Sequence, residues 1–249
     1  MKDLVLKYFG ISLILLLGDF LFAVGVYFSL PNTAALTRGV KLTRVGSDAK
    51  PFTFEAGPLN KKYTKLSQIS RYVPRSVLAL EDSRFYQHRG FDFVEVVDAL
   101  ESSLEDGERL RGASTLTQQL VKNLYLSPER SFRRKILEAL IAVKMEATLT
   151  KSQIIEIYLN SIDWGRGLFG IRDAAFAYYR KHPSALTLKE ALFLAAIIPN
   201  PSRFGRRVEG QSPRRFVRRQ MMKALRELYR QGQIGIDDFR AVIGEIQGG

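Results

Sequence analysis

Residues 79–92 read ALEDSRFYQHRGFD and place two adjacent carboxylates, Glu81 and Asp82, directly after an apolar run at residues 77–80. Pro74 lies where a first-turn proline belongs, so the pattern predicts a helix that opens there and ends at the acidic pair. A carboxylate at the end of an apolar helix is partly withdrawn from water, which raises its pKa and makes it a usable base near neutral pH. These residues alone leave open the alternative of a solvated helix end without chemistry.

The size and charge of the chain narrow the class of partner. Its 249 residues can form one large domain and an appendage, and its formal net charge is +13. This charge favours an anionic partner, which could be nucleic acid, acidic lipid head groups or a phosphorylated ligand. The sequence contains no cysteine, which excludes disulfides and thiolate metal sites. It also shows no metal-ligand spacing, glycine-rich phosphate loop or Ser-His-Asp order.

The apolar stretch FGISLILLLGDFLFAVGVYFSL at residues 9–30 is long enough to cross a bilayer as a helix, and Asp19 is its only charged residue. One aspartate near the centre costs roughly 2.5 to 3.5 kcal/mol, and about fourteen Leu, Ile, Phe and Val side chains outweigh it at about 0.3 to 0.6 kcal/mol each. A cleaved signal peptide and a buried core helix are the alternatives. The length of the run and the lack of a small-x-small cleavage site favour an uncleaved anchor.

The predicted organisation has four parts: residues 1–8 as a short cytoplasmic N-terminus, 9–30 as the transmembrane anchor, 31–59 as a turn-rich linker and jaw segment with a small hairpin, and 60–249 as a mostly helical domain. The charges that flank the apolar stretch do not orient it by the positive-inside rule, because both sides carry them. They are Lys2 and Lys7 before it, and Arg38, Lys41 and Arg44 after it.

Helix caps mark the elements of the domain. Asp92 is a predicted cap for the helix that follows it, and a helix opened by Ser127 and Pro128 is predicted to run to about Thr148. Two capping boxes are expected, Thr150 with Gln153 and Thr187 with Glu190.

A second polar cluster follows in GASTLTQQLVKN, residues 112–123. On a helix that begins near Ala113, leucines at spacing four form an apolar stripe, and a polar face is predicted opposite it. That face holds Thr115, Gln118, Gln119 and Lys122, with Asn123 beside them. Hydroxyls, amides and one cation suit sugar hydroxyls and a phosphate, although a plain solvated face explains the pattern about as well.

A third cluster, RRKILE, places Arg134 and Lys135 on one helix face with Glu138. Two cations could clamp a pyrophosphate, and simple helix ion pairs are the alternative. The C-terminal part is strongly basic, and contact with anionic head groups is predicted for it, with a solvated basic helix as the alternative. The arginines of this predicted basic cluster are Arg203, Arg206, Arg207, Arg214, Arg215, Arg218 and Arg219.

Taken in order, four segments resemble the successive motifs of the glycosyltransferase family 51 domain, the peptidoglycan transglycosylase. They are EDSRFYQHRG at 81–90, GASTLTQQLVKN at 112–123, RKILE at 134–138 and KSQIIEIYLN at 151–160. The resemblance covers roughly residues 60–242, and the loop NSIDWGRGLFG at 160–170 departs from the usual pattern. No S-x-x-K, S-x-N and K-T-G set is present, so a monofunctional enzyme is expected.

The resemblance implies a mostly α, lysozyme-like fold with a small jaw lobe, preceded by one transmembrane helix. It also implies lipid II as the substrate, and a net reaction that adds a disaccharide to a lipid-linked glycan chain and releases undecaprenyl diphosphate. Direct displacement would invert the α-linked donor to a β-1,4 glycan. The catalytic domain would lie on the periplasmic side of the bacterial inner membrane. The expected partners are lipid II, the glycan chain, the anionic lipid surface and other cell-wall synthases, and no nucleic acid is expected.

The resemblance further assigns Glu81 as the general base and Glu138 as the second catalytic residue, which orients the cations or helps to hold a divalent ion. Phe85 and His88 are expected to buttress the loop, and no metal site or required cofactor is predicted, although Mg²⁺ or Mn²⁺ could assist at the pyrophosphate. The expected substrate-binding residues are Asp82, His88, Ser114, Thr115, Gln118, Gln119, Lys122, Asn123, Arg134 and Lys135. The remaining functional alternatives are a lytic muramidase and a non-catalytic, membrane-anchored scaffold that binds anionic lipid.

Overall fold

The computed structural model describes residues 2–45, 51–106, 114–127, 129, 131–165, 167–205 and 215–247. These residues are mostly helical, which confirms the predicted fold class. The helices are α1 (Lys2–Ser29), α2 (Tyr72–Glu81), α3 (Phe93–Asp106), α4 (Leu116–Tyr125), α5 (Phe132–Thr148), α6 (Lys151–Ser161), α7 (Ile171–Tyr179), α8 (Leu188–Ile197), α9 (Pro201–Phe204), α10 (Arg215–Arg230) and α11 (Ile236–Gln247). The strands are β1 (Val40–Val45) and β2 (Pro51–Ala56), with short 3-10 turns between several elements.

Helix α8 forms the centre of one half of the core. Every residue from 191 to 197 is buried, as expected for a helix that is apolar on all sides. Helices α2, α10 and α11 pack around it, and α10 also contacts α2. The apolar side of α2, which includes Val73 and Val77, is fully buried. The helix that ends in Glu81 is therefore held along its length by the core.

Helices α4, α5 and α6 form the other half of the core. The predicted leucine stripe on α4 is confirmed, because Leu116, Leu120 and Leu124 are buried. The stripe fixes the rotation of α4, and this rotation decides which of its polar side chains turn away from the core.

The segment at residues 31–59 packs against the helices. Strands β1 and β2 form the predicted hairpin, antiparallel and in register from Val40 with Ala56 to Val45 with Pro51. The turn before the hairpin buries Leu36, and the Thr33 and Thr148 hydroxyls lie 2.7 Å apart. This segment is therefore a small lobe fixed to α5 and α6 rather than an extended tether.

Among the described residues, α1 is the one helix long and apolar enough to cross a membrane. The segment that meets these criteria, Leu15–Thr37, begins within α1 and includes the 3-10 turn that follows this helix. It has a mean hydropathy of 1.4 and is 6% buried. A signal sequence meets the same criteria, so the predicted anchor rests on length and composition.

The C-terminal end of α1 is attached to the domain by Lys144 on α5. Its Nζ donates hydrogen bonds to the backbone carbonyls of Tyr27 at 2.7 Å and Leu30 at 3.0 Å. It also lies 4.5 Å from the centre of the Tyr27 ring. A buried cation at the end of a helix satisfies its unpaired carbonyls and complements the helix dipole.

Several predicted helix caps are confirmed, and two predicted helix starts are wrong. The boxes at Thr150 and Thr187 are present, and Asp92 accepts the N–H groups of Val94 and Glu95 at 3.1 Å. Helix α4 begins at Leu116 and not near Ala113, because Thr115 is its cap. Helix α5 begins at Phe132 with Ser131 as its cap, and not at Ser127 and Pro128. Pro128 lies outside the described residues, as do Arg206, Arg207 and Arg214 of the predicted basic cluster.

Candidate active site

Glu81 is the last residue of α2, half-buried at the point where the helix leaves the core. Burial raises its pKa, while a hydrogen bond from Gln119 and the charges of Lys122 and Lys223 oppose this increase. The Gln119 Nε2 donates to Glu81 Oε2 at 2.8 Å. The side chain is thus a carboxylate with a raised pKa, held by one amide donor and near two cations, which is suitable for a general base.

Asp82 lies beside Glu81 but faces the interior, with 1% of its surface exposed. Its Oδ1 accepts from His88 Nε2 and its Oδ2 from the Leu116 N–H, both at 2.9 Å. The His88 side chain is also buried. Both oxygens of Asp82 are therefore used to tie the first motif to the start of α4. This arrangement agrees with the predicted buttressing role of His88, and it favours a positioning role over substrate contact for both residues.

The start of α4 contradicts the predicted orientation of two residues. Thr115 and Gln118 were expected on the exposed polar face, but they are 1% and 2% exposed. The reason is a capping box, in which Thr115 Oγ1 accepts the Gln118 N–H and Gln118 Oε1 accepts the Thr115 N–H. Thr115 Oγ1 also donates to the Gly90 carbonyl at 2.8 Å. The exposed face of α4 keeps Gln119, Lys122 and Asn123, of which Lys122 is the most exposed.

The third cluster forms at the start of α5 as predicted. Arg134 Nη1 lies 3.1 Å from Glu138 Oε2, and Lys135 Nζ contacts Glu138 Oε1. Lys135 Nζ also donates to Ser114 Oγ at 3.1 Å, which brings this cluster to the start of α4. The Glu138 side chain is 3% exposed, so it is a buried carboxylate that holds two cations in place.

The predicted aid from a divalent ion does not fit the donor atoms at Glu138. Arg134 and Lys135 occupy one carboxylate oxygen each, and a hard divalent cation needs several free oxygen ligands. Across the described part of the chain, no group of three or more His, Asp or Glu side chains is arranged to hold a metal ion.

Two charged residues were missed by the sequence analysis, Lys223 near Glu81 and Glu95 near Asp82. Lys223 on α10 is exposed, and its charge lowers the pKa values of both Glu81 and Glu95. The pKa of Glu95, in the first turn of α3, is nevertheless raised, mainly by burial. Lys223 is a single lysine in an arginine-rich helix, and only the packing of α10 against α2 brings it to the site, so no local pattern singles it out.

The fourth motif supplies a further residue that the sequence analysis missed. Tyr158 on α6 is fully buried, and its hydroxyl donates to Gln119 Oε1 at 3.0 Å. Other polar residues of the motif fix the chain before α2. Glu156 accepts the Tyr63 hydroxyl at 2.7 Å and the Leu66 N–H at 2.6 Å. The fourth motif thus has a structural role, and it is connected to Glu81 by the hydrogen bonds of Gln119.

Phe85 is buried, as expected for a residue that buttresses the loop. The Lys151 Nζ lies 4.2 Å from the centre of its ring. The same nitrogen is 2.8 Å from Glu146 Oε1, which also accepts the Thr117 hydroxyl at 2.5 Å. This network joins the loop after Glu81 to α4, α5 and α6.

The comparisons with known proteins point to one family. A family model described as Transglycosylase matches residues 50–226. A biosynthetic peptidoglycan transglycosylase of Laribacter hongkongensis is 39% identical over 195 residues, which are 77% of this chain and 82% of that protein. One of Thiobacillus denitrificans is 43% identical over 57% of this chain and 62% of that protein. Penicillin-binding protein 1A of Aquifex aeolicus is 34% identical over 98% of this chain, which spans 34% of its length.

A crystal structure of penicillin-binding protein 1A from Haemophilus influenzae overlaps 83% of this chain at 16% identity and a TM-score of 0.39, which is too low to bear on the fold. The family model, in contrast, covers well over half of the chain and includes every residue of the site described above. The chain therefore belongs to the transglycosylase family, a family of glycosyltransferases.

Proposed function

We propose that the chain is a peptidoglycan glycosyltransferase that polymerises lipid II into β-1,4 glycan strands and releases undecaprenyl diphosphate. The observation that carries the proposal is Glu81, a half-buried carboxylate with a raised pKa, held by Gln119 near the cations of α4 and α10. A base beside cations suits a reaction that joins a weakly acidic hydroxyl to a donor with a pyrophosphate leaving group.

In this mechanism Glu81 removes the proton from the 4-hydroxyl of the acceptor sugar as its oxygen attacks the anomeric carbon of the donor. The new glycosidic bond forms on the face opposite the pyrophosphate, so an α-linked donor gives a β-linked product. The proton remains on Glu81 until water removes it. Because the raised pKa of Glu81 lies closer to that of the hydroxyl, the proton transfer is less unfavourable than for an ordinary carboxylate.

The leaving pyrophosphate needs positive charge more than it needs an acid. Arg134 and Lys135 carry two positive charges against the one negative charge of Glu138, so this cluster keeps one net positive charge. Lys122 and Lys223 add two more near Glu81. We assign these four cations to the pyrophosphate, and Glu138 to holding two of them in position.

A lytic muramidase is the second candidate, because it too would use one glutamate with a raised pKa. It would use that glutamate as an acid toward a sugar leaving group, and such a group has no need of clustered cations. The cations around Glu81 therefore favour the polymerase.

Incubation of the purified protein with labelled lipid II tests the proposal. Ladders of lengthening glycan support the polymerase, shortened preformed glycan supports the muramidase, and binding without product supports the scaffold. Glu81→Gln should lower polymerisation by about 10²- to 10⁴-fold while it keeps lipid II binding. Glu101→Gln, at an exposed position on α3, is the matched control and should leave the rate unchanged. Near wild-type polymerisation by folded Glu81→Gln would show that the base is elsewhere.

Loss of a cation should have a different effect on the enzyme from loss of the base. Lys122→Ala and Arg134→Ala should weaken both lipid II binding and turnover, since the pyrophosphate is charged before and during its departure. A silent Lys122→Ala would refute the proposed cation site. Assistance by Mg²⁺ or Mn²⁺ bound to the pyrophosphate itself, and not to Glu138, stays a prediction, tested by adding back either ion to enzyme treated with a chelator.

We also propose that α1 anchors the protein in the bacterial inner membrane as a single span, with the domain on the periplasmic side. An exposed apolar stripe on α5 supports a membrane-facing orientation of this part of the domain, since its first residue, Phe132, is 82% exposed. The stripe continues with Ile136, Leu140 and Val143. A reporter fused after Gly249 that is active only in the cytoplasm would overturn this topology.

The basic face of α10 gives a second, separable contact with lipid. Arg215 and Arg219 are exposed on this helix, and Arg215→Glu with Arg219→Glu should weaken binding to anionic vesicles at low salt. The effect should shrink at high salt, because exposed charges are screened beyond roughly 8 to 10 Å. Unchanged binding at low salt would show that α10 does not face the lipid.

A further inference from the structure

A chain of two hydrogen bonds joins Tyr158, a buried residue of α6, to Glu81 at the end of α2. The Tyr158 hydroxyl donates to Gln119 Oε1 at 3.0 Å, and Gln119 Nε2 donates to Glu81 Oε2 at 2.8 Å. Tyr158 is fully buried, so its hydroxyl has no access to bulk water. Three helices thus contribute one residue each to a relay that ends at Glu81.

The chemistry of the amide makes the outer bond depend on the inner one. One end of the Gln119 amide can only accept hydrogen bonds and the other end can only donate them. A hydroxyl that donates to the oxygen therefore turns the NH₂ group toward Glu81. The opposite flip would place the amide oxygen against the carboxylate and would leave the buried hydroxyl without an acceptor.

The hydroxyl can keep this role over the working pH range. Burial and the nearby negative charges of Glu81 and Asp82 raise the pKa of Tyr158 well above its ordinary value. Tyr158 therefore stays protonated and remains a donor in the neutral pH range.

We propose that Tyr158 is a positioning residue for Glu81, acting only through the orientation of the Gln119 amide. This inference rests on the proposed role of Glu81 as the general base. The fixed amide aims one carboxylate oxygen and stabilises the charged form of Glu81, which is the form that accepts a proton. Without the Tyr158 hydroxyl the amide loses its fixed orientation, and the charged form loses its donor.

The test is Tyr158→Phe in the full chain, which removes one oxygen and leaves the ring in the core. Tyr125→Phe is a matched control, because Tyr125 lies on α4 with Gln119 and its buried hydroxyl has no hydrogen-bond partner among the described residues. The measurement is kcat and KM for labelled lipid II as a function of pH. The rate falls as the pH drops through the pKa of the base. Tyr158→Phe removes a stabilising donor from charged Glu81 and so raises this pKa, and the fall in rate at acid pH should therefore shift to higher pH by about one unit.

At neutral pH, Tyr158→Phe should lower kcat by roughly 3- to 10-fold with KM little changed, because the defect lies in the base and not in substrate contact. Tyr125→Phe should follow the wild-type profile. Gln119→Leu should resemble Tyr158→Phe or exceed it, and the double variant should be no worse than Gln119→Leu alone. A Tyr158→Phe profile that superimposes on wild type, or defects that add in the double variant, would overturn the proposal.

A second readout separates this inference from the proposed function. Infrared titration of the Glu81 carboxyl group, taken as the difference between each protein and its Glu81→Gln counterpart, reports the pKa of Glu81 without turnover. A higher Glu81 pKa in Tyr158→Phe than in wild type supports the relay, and an unchanged pKa overturns it. A wild type that makes no glycan while this pKa still responds to Tyr158→Phe would overturn the polymerase and leave the relay standing.

Discussion

Replacing Asp82 by alanine should test whether this carboxylate supports the fold or contacts the substrate. Asp82 is buried and accepts two hydrogen bonds at 2.9 Å, from His88 and from the Leu116 N–H. Hydrogen bonds to a charged group contribute about 1.5 to 3 kcal/mol each, so Asp82→Ala should cost about 3 to 6 kcal/mol. In a chain of this size each kcal/mol lowers Tm by about 2 to 4 °C, which predicts a decrease of roughly 6 to 24 °C.

The assay is thermal unfolding of the detergent-solubilised full chain, followed by circular dichroism. Asp82→Asn should lose about half as much stability, because the amide oxygen can still accept one of the two hydrogen bonds. Glu101→Ala, at an exposed position on α3, should stay within about 0.5 kcal/mol of wild type.

The reasoning is refuted by a specific pair of results. If Asp82→Ala melts within about 2 °C of wild type but no longer binds lipid II, Asp82 contacts the substrate. The hydrogen bonds to α4 would then have little energetic weight, and the prediction made from the resemblance would replace the positioning role.

Three further predictions concern stability. Glu81→Gln should melt no lower than wild type at pH 7 despite its loss of activity. The pKa of Glu81 is higher in the folded than in the unfolded state, so above the unfolded-state pKa the ionisation of this carboxylate lowers the stability of the fold. A lower Tm for Glu81→Gln would contradict this. Lys151→Met should cost about 3 to 5 kcal/mol in chemical denaturation by leaving Glu146 buried without its cation, whereas Lys189→Met, at an exposed ion pair, should cost less than about 1 kcal/mol. Equal losses would show that burial does not matter here. Lys144→Met should speed hydrogen exchange in the last turn of α1, and unchanged exchange would mean that other contacts hold this end.

The parts of the fold that the sequence predicted are those set by neighbouring residues. The capping boxes at Thr150 and Thr187 and the leucine stripe of α4 depend on spacings of three and four, which can be recognised without knowing the fold. The apolar residues before Glu81 likewise predicted a carboxylate withdrawn from water, and burial does raise its pKa.

Inference from neighbouring residues failed where the sequence around a residue was compatible with two different structural roles. Thr115 and Gln118 fit a polar helix face and also fit a capping box, and the box requires both side chains to turn back on the helix start. Lys223 and Tyr158 could not be found in this way. Each reaches Glu81 only because a helix distant in sequence packs beside α2 or α4, and a periodic pattern contains no such information.

Helix α5 carries the cation cluster near one end and the attachment of α1 near the other. Ten residues separate Arg134 from Lys144, which is about 15 Å at 1.5 Å per residue. With α1 as the proposed anchor and the apolar stripe of α5 facing the bilayer, a single stiff helix sets the distance along the membrane between the anchor and the cations proposed to meet a lipid-linked pyrophosphate. An insertion of one turn into α5 would lengthen that distance by about 5 Å, whereas residues added before α1 would not change it. The attachment of α1 to α5 would then fix the distance between the membrane anchor and the cation cluster, as well as hold the domain at the membrane.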